Sequence, residues 1–311
     1  MSQLKSTGLF LFMGTAFGAA FPAIKVGLAD APPLLFAALR YDLAALLLVA
    51  YAAIVLRDWR PRAQAEWLAV AAGGVLFIGG TGFLYLGQQY TTSGVSAIIY
   101  SLGPILTVAV AWLLLPDERL SRRALVGLLI GFLGVGLVVR PTPDALTNAD
   151  LLGKMLVLVA ITSVTIGTVT LRRIGAHVPT VKLTGLSLAT GAIVLHAVSL
   201  LTGEPQAVRA TPTFVAAYLY LALIASAVGF VAYFALLERV GPLQANLVVY
   251  LVPIVAAVVG WLWLGETLTG ITLMGFLVIF AGFVLTKWTE LVETTTGAWR
   301  VVTARRYGAG R

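Results

Sequence analysis

GPILTVAVAWLLLPDERL (residues 103–120) and VPIVAAVVGWLWLGETL (252–268) read as two copies of one element. Each opens on a proline (Pro104, Pro253), runs apolar to a tryptophan (Trp112, Trp261) and closes on Glu-x-Leu (Glu118 to Leu120, Glu266 to Leu268). Past a single-residue gap, Gly127, Phe132 and Gly134 fall opposite Gly275, Phe280 and Gly282, and upstream Tyr85 falls opposite Tyr233, all at a separation near 148. The chain is therefore read as a duplication, which governs every later assignment.

Outward from this repeat the chain is apolar almost throughout. Of its 311 residues 59% are hydrophobic and 11% charged, with a mean hydropathy of +0.97. Soluble domains carry about a quarter charged residues, so a water-soluble globule is excluded. Apolar runs long enough for a hydrocarbon core of about 30 Å are predicted near 7–28, 33–56, 66–89, 93–115, 122–139, 151–171, 181–202, 213–237, 241–264 and 268–287. The first run is long and glycine-punctuated and is read as a mature span rather than a cleaved signal.

Sixteen of the 21 lysines and arginines fall on one side of this arrangement, four on the other, and Arg40 lies inside a span. The excess of basic residues marks the cytoplasmic side, so both termini are expected there, in the cytoplasmic membrane. Five spans per copy, an odd number, require the second copy to enter from the opposite face. The charges agree: Arg119, Arg122 and Arg123 follow the fourth span, whereas 265–270 carries no basic residue. The expected fold is an all-α membrane protein with ten transmembrane helices in a 5+5 inverted-topology repeat. Its parts are a first repeat at 1–140, a polar proline-bearing linker at 141–150, a second repeat at 151–287, and a basic tail at 288–311 for lipid contact. Inverted repeats suit secondary transporters, because two mirrored bundles around one site can exchange inward-open and outward-open states.

The segment from Gly14 through Phe17, Gly18 and Phe21 to Pro22, the Leu39-Arg40-Tyr41 triplet, and the paired proline, tryptophan and Glu-x-Leu elements resemble the drug/metabolite transporter superfamily, specifically its ten-span EamA-type members. The likeness covers nearly the whole chain. It implies a central cavity through which small organic metabolites such as amino acids are exported or imported; export is the direction expected here. Small multidrug relatives place a proton-exchanging glutamate in the first span; this chain has Thr15, Phe17 and Phe21 there, so that coupling is not carried over.

Charges inside the bilayer are costly and point to function. Arg40 and Asp42, two residues apart, face about 200° from each other on a helix and need different partners. Arg40 either meets a substrate carboxylate or anchors a neighbouring helix, and Asp42 is the candidate for coupling to protons. Helical spacing groups Thr81, Tyr85 and Gln88 in the third span, Ser96 and Tyr100 in the fourth, Ser226 and Tyr233 in the eighth, and Asn246 and Tyr250 in the ninth. With Thr165 in the sixth span and Phe17 and Phe21 in the first, these residues either line a substrate cavity or serve as interhelical contacts. Pro22, Pro104 and Pro253 are candidate helix breaks or gates. Such a set offers hydrogen bonds and ring faces but little net charge, which favours neutral or zwitterionic cargo over sugar phosphates.

No cysteine is present, which excludes thiolate chemistry. His177 and His196 stand apart from any metal-ligand spacing, and no phosphate-binding Gly-x-x-x-x-Gly-Lys pattern exists. No metal, no cofactor and no catalytic residue is expected. The partners expected are a small-molecule substrate and membrane lipids, with no nucleic acid; the net charge of +8 is assigned to lipid headgroups. A monomer is expected, with a dimer as the alternative. The rival functions are a channel or membrane receptor, and an intramembrane enzyme on lipid-linked substrates, which would need clustered carboxylates or histidines.

Overall fold

The computed structural model describes residues 3–116, 118–140, 148–229, 232 and 247–288. Among these residues the chain is entirely helical outside its turns. Ten helical segments follow one another: α1 (Gln3–Gly27), α2 (Pro33–Val55), α3 (Gln64–Gln88), α4 (Ser93–Leu114), α5 (Arg122–Val139), α6 (Ala149–Ile174), α7 (Thr180–Leu201), α8 (Pro212–Val228), α9 (Val248–Leu264) and α10 (Gly270–Thr286). The first seven are long and apolar enough to cross a membrane. At 17 residues each, α8, α9 and α10 extend about 26 Å, short of the run expected from the apolar pattern. For α8 and α9 the missing part falls between 233 and 246, outside the described residues, as do linker residues 141–147 and the tail beyond Trp288.

Local chemistry sets the helix ends. Thr92, Ser121, Thr211 and Thr269 each accept the backbone N–H three residues on, starting α4, α5, α8 and α10. Pro33 opens α2 and Pro212 opens α8, where a missing N–H costs nothing. Gly175 and Gly265 stop α6 and α9 in the left-handed conformation, at φ 62° and 65°.

The surface inverts the soluble pattern. Ile54, Leu201 and Trp263 are more than three-quarters exposed, whereas Gln88, Ser93, Ser96 and Ser226 are fully buried. Apolar side chains facing outward, with polar side chains drawn into the interior, is the arrangement a lipid solvent favours.

Helix pairs approach through glycine. α5 packs on α10, where a Cβ on Gly127 would lie 2.6 Å from Gly282 O and one on Gly134 2.8 Å from Gly275 O. As one number rises the other falls, so the two helices run antiparallel. The pairing also crosses the repeat: Gly275 is the sequence counterpart of Gly127, yet it touches Gly134. α2 packs on α7, and α1 on α9 as α6 does on α4. A π-helical turn interrupts α3 at Gly73–Ile78, followed by a 3-10 turn at Gly79–Thr81, and another occupies α8 at Tyr220–Val228. The two π turns again lie about one repeat length apart.

The proline expectation divides. Pro104 follows an interruption of α4 at Ser101 and Leu102. Pro22 and Pro253, by contrast, sit inside the unbroken helices α1 and α9. One lost backbone hydrogen bond does not break a helix that neighbours clamp on both sides, so these two prolines are not helix breaks in this conformation.

Candidate functional site

A cavity of about 500 Å³ lies between α1, α2, α3, α4, α6, α8, α9 and α10. Arg40 and Tyr41 enter it from α2 and meet the irregular turns of α8 and α3 through Ser226 and Thr81. The Arg40 guanidinium donates from Nε to Ser226 Oγ at 2.9 Å and from Nη1 to Tyr85 Oη at 3.0 Å. Its Cζ lies 5.0 Å from the centre of the Tyr41 ring. Thr81 gives its single hydroxyl proton to Ile78 O at 2.6 Å, so across the 2.9 Å contact the Tyr41 hydroxyl donates to Thr81 Oγ1. A π turn widens the helix by one residue and turns a side chain off the regular face; Ser226 reaches Arg40 from such a turn.

The cavity is mostly apolar. Phe17, Phe21, Thr81, Tyr100 and Thr165 line it together with Arg40. The Tyr100 ring meets Phe21 edge-on at 5.6 Å, and its hydroxyl is buried without a partner among the described residues. Thr165 turns its hydroxyl to Ile161 O of its own helix. Tyr85 and Ser226 stand behind the wall, acting on the cavity through Arg40.

Other expected lining residues lie elsewhere. Ser96 hydrogen-bonds Thr92 O within its helix and does not line the cavity. Tyr250 packs against Phe280 and Phe283 of α10, at 5.2 and 4.5 Å between ring centres. Gln88 is wholly buried near the end of α3, both amide atoms unpartnered among the described residues. Helical spacing identified a polar face in each case but not the neighbour it meets. Tyr233 and Asn246 lie outside the described residues.

Asp42 points away from Arg40, as the 200° offset requires. Its carboxylate lies 2.7 Å from His196 Nε2 on α7, and both side chains are partly exposed on the outer surface of the bundle. It does not reach the cavity, so a coupling role for Asp42 would have to act through helix α2. Among the described residues no three His, Asp or Glu side chains stand together as a metal site would require.

The two ends of the bundle differ. The central cavity shares Thr107, Val108 and Lys287 with a second pocket that contains Arg119 and Arg172, so it extends towards the end rich in basic residues. Glu118 pairs with Arg172 there. The opposite end is tied shut. Glu266 accepts from Ser93 N at 3.0 Å and from Ser93 Oγ at 2.6 Å, joining the turn after α9 to the start of α4. Gly260 makes room for this, because a Cβ on it would lie 2.7 Å from the Glu266 carboxylate. Lys25 Nζ donates to Gln88 O and Thr91 O at 2.6 and 2.9 Å. Glu204 caps α2 through Leu34 N and Leu35 N. These contacts span 63 to 173 residues, beyond the reach of local sequence patterns.

Comparison with known proteins gives one picture. The profile of the EamA-like transporter family matches residues 6–140 and 151–288, once per half. The "Uncharacterized transporter YvbV" of Bacillus subtilis is 28% identical, over 92% of this chain and 93% of the relative. The "Probable amino-acid metabolite efflux pump" of Salmonella typhimurium is 29% identical over 88% and 92%, and "Protein PecM" of Dickeya dadantii 30% over 69% and 70%. A solved crystal structure at 20% identity superposes with a TM-score of 0.63, covering 93% of this chain and 98% of the other, a likeness of fold.

Proposed function

We propose, since this chain belongs to the EamA-like transporter family and is a multi-pass membrane transporter, that it exports small organic metabolites by alternating access through the cavity around Arg40. The reading takes α1 to α10 as ten spans in a 5+5 inverted repeat. Its support is the exchange of counterparts at the α5–α10 contact, where Gly127 meets Gly282 and Gly134 meets Gly275, together with the repeat-spaced π turns. An antiparallel two-fold axis between the halves produces such a crossed pairing, and a parallel duplication does not.

The single observation that carries the transport reading is a cavity extending towards one end and tied shut at the other, where Glu204 and Glu266 of the second half hold the starts of α2 and α4 in the first. By the distribution of basic residues, the open end faces the cytoplasm, so the conformation is inward-facing. Closing that end while releasing Glu204 and Glu266 would present the same residues to the outside. An amino-acid metabolite is one cargo the Salmonella relative's name suggests.

Proteoliposomes holding the purified protein test this. Counterflow of at least one compound among radiolabelled amino acids and small organic acids is expected to saturate with concentration. Flux that rises linearly without saturation would favour a channel.

A further inference from the structure

We infer that Arg40 is an anion-binding site and that the cargo it selects is a monocarboxylate with a largely apolar body and no ammonium of its own. This rests on the transport reading of the same cavity and adds the chemical class of the cargo.

Both acceptors that Arg40 engages, Ser226 Oγ and Tyr85 Oη, are neutral. A guanidinium has five N–H donors, and these two contacts leave Nη2 without a partner among the described residues. The described carboxylates are all committed elsewhere: Asp30, Asp58, Glu66, Glu118 and Asp150 in ion pairs with other side chains, Asp42 against the His196 ring, and Glu204 and Glu266 at helix starts. Arg40 is thus a cation at membrane depth, 8% exposed, whose remaining surface adjoins the cavity it lines. An uncompensated buried charge is costly, and an arriving carboxylate relieves that cost with charge-assisted, bidentate geometry.

The rest of the wall selects the body. Phe17, Phe21, Ile24, Phe77, Val164 and Val252 surround the cavity, and no described carboxylate lines it. An ammonium entering with the carboxylate would lose its hydration and gain no ion pair, beside a guanidinium that repels it. About 500 Å³ accommodates an aryl or alkyl acid with accompanying water.

Four probes on one phenylethyl frame separate the possibilities: 3-phenylpropanoate (anion), phenylalanine (zwitterion), phenethylamine (cation) and 3-phenylpropanamide (neutral). Binding is read by isothermal titration calorimetry on the full chain in detergent, and transport by counterflow in proteoliposomes. The wild type is expected to bind the propanoate at least about tenfold more tightly than the amide or phenylalanine, and the amine not at all. Arg40→Gln should bring the anion-to-amide ratio near one, and Arg40→Lys should keep its direction. Should Arg40→Gln fail to fold, the wild-type charge series decides alone. Equal or tighter binding of phenylalanine or phenethylamine, absence of propanoate binding, or an Arg40→Gln protein that keeps the anion preference would each overturn the inference. A cavity cysteine labelled alternately from both faces while propanoate fails to bind would leave transport standing without this cargo class. Propanoate binding with labelling from one face only would do the reverse.

Discussion

Glu266→Ala is expected to open the sealed end of the bundle and to raise labelling of a cysteine at Ile24 by an impermeant thiol reagent applied from that end. Ile24 lines the cavity at 1% exposure, one residue from Lys25. The Glu266 carboxylate accepts both the backbone N–H and the hydroxyl of Ser93, at the start of α4 where the helix dipole favours negative charge. Hydrogen bonds to a charged group contribute about 2 kcal/mol each, so the loss of even one of the two shifts the equilibrium between sealed and open forms by roughly thirtyfold, and the loss of both by more. Because the chain has no cysteine, the introduced thiol is read without background. Glu118→Ala, at the equivalent place in the first repeat, should leave this labelling unchanged: its contact to Arg172 is exposed, and exposed pairs contribute little. Unchanged labelling in Glu266→Ala would show that the carboxylate does not hold that end closed.

Gly134→Leu is expected to force α5 and α10 apart and to lower the thermal stability of the purified protein. A Cβ at Gly134 would lie 2.7 Å from Ile279 Cγ1 and 2.8 Å from both Gly275 O and Ile279 N. Two of these neighbours are backbone and cannot rotate aside. Overpacking of this kind costs about 1–3 kcal/mol, and close small-residue contact is the principal attraction between helices in lipid, where no hydrophobic drive operates. Gly136→Leu, two residues on, is the control: nothing lies within 4 Å of a Cβ there, and its side chain would enter lipid. Equal melting temperatures for the two variants would contradict the crossed glycine contact.

The first seven helices were legible because each is an apolar run long enough to cross a hydrocarbon core; the caps Thr92 and Ser121 that fix the starts of α4 and α5 emerged with the structure. The divergence of Arg40 and Asp42 followed from helix geometry alone, and Ser226 and Tyr85, grouped in the sequence as cavity candidates, turned out to act through Arg40. What escaped was everything decided by a second helix. Tyr250 shares a helical face with Pro253, but α10 is the neighbour of its ring. His196, read as a bystander, is the partner of Asp42. The irregular turns of α3 coincide with the glycines at 73, 74, 79, 80 and 82, but a glycine cluster alone does not mark a change of helical pitch. The Glu266–Ser93 contact had half of one, since Glu-x-Leu recurs in both repeats while its acceptor role depends on a residue 173 positions away.

The most direct measurement uses a single cysteine at Ala20, a cavity-lining position on α1, in right-side-out and inside-out membrane vesicles. Modification by an impermeant thiol reagent is expected from both faces, with Glu266→Ala raising the rate from the periplasmic or external face and lowering it from the cytoplasmic face. Labelling from one face only, unmoved by Glu266→Ala, would contradict alternating access through this cavity.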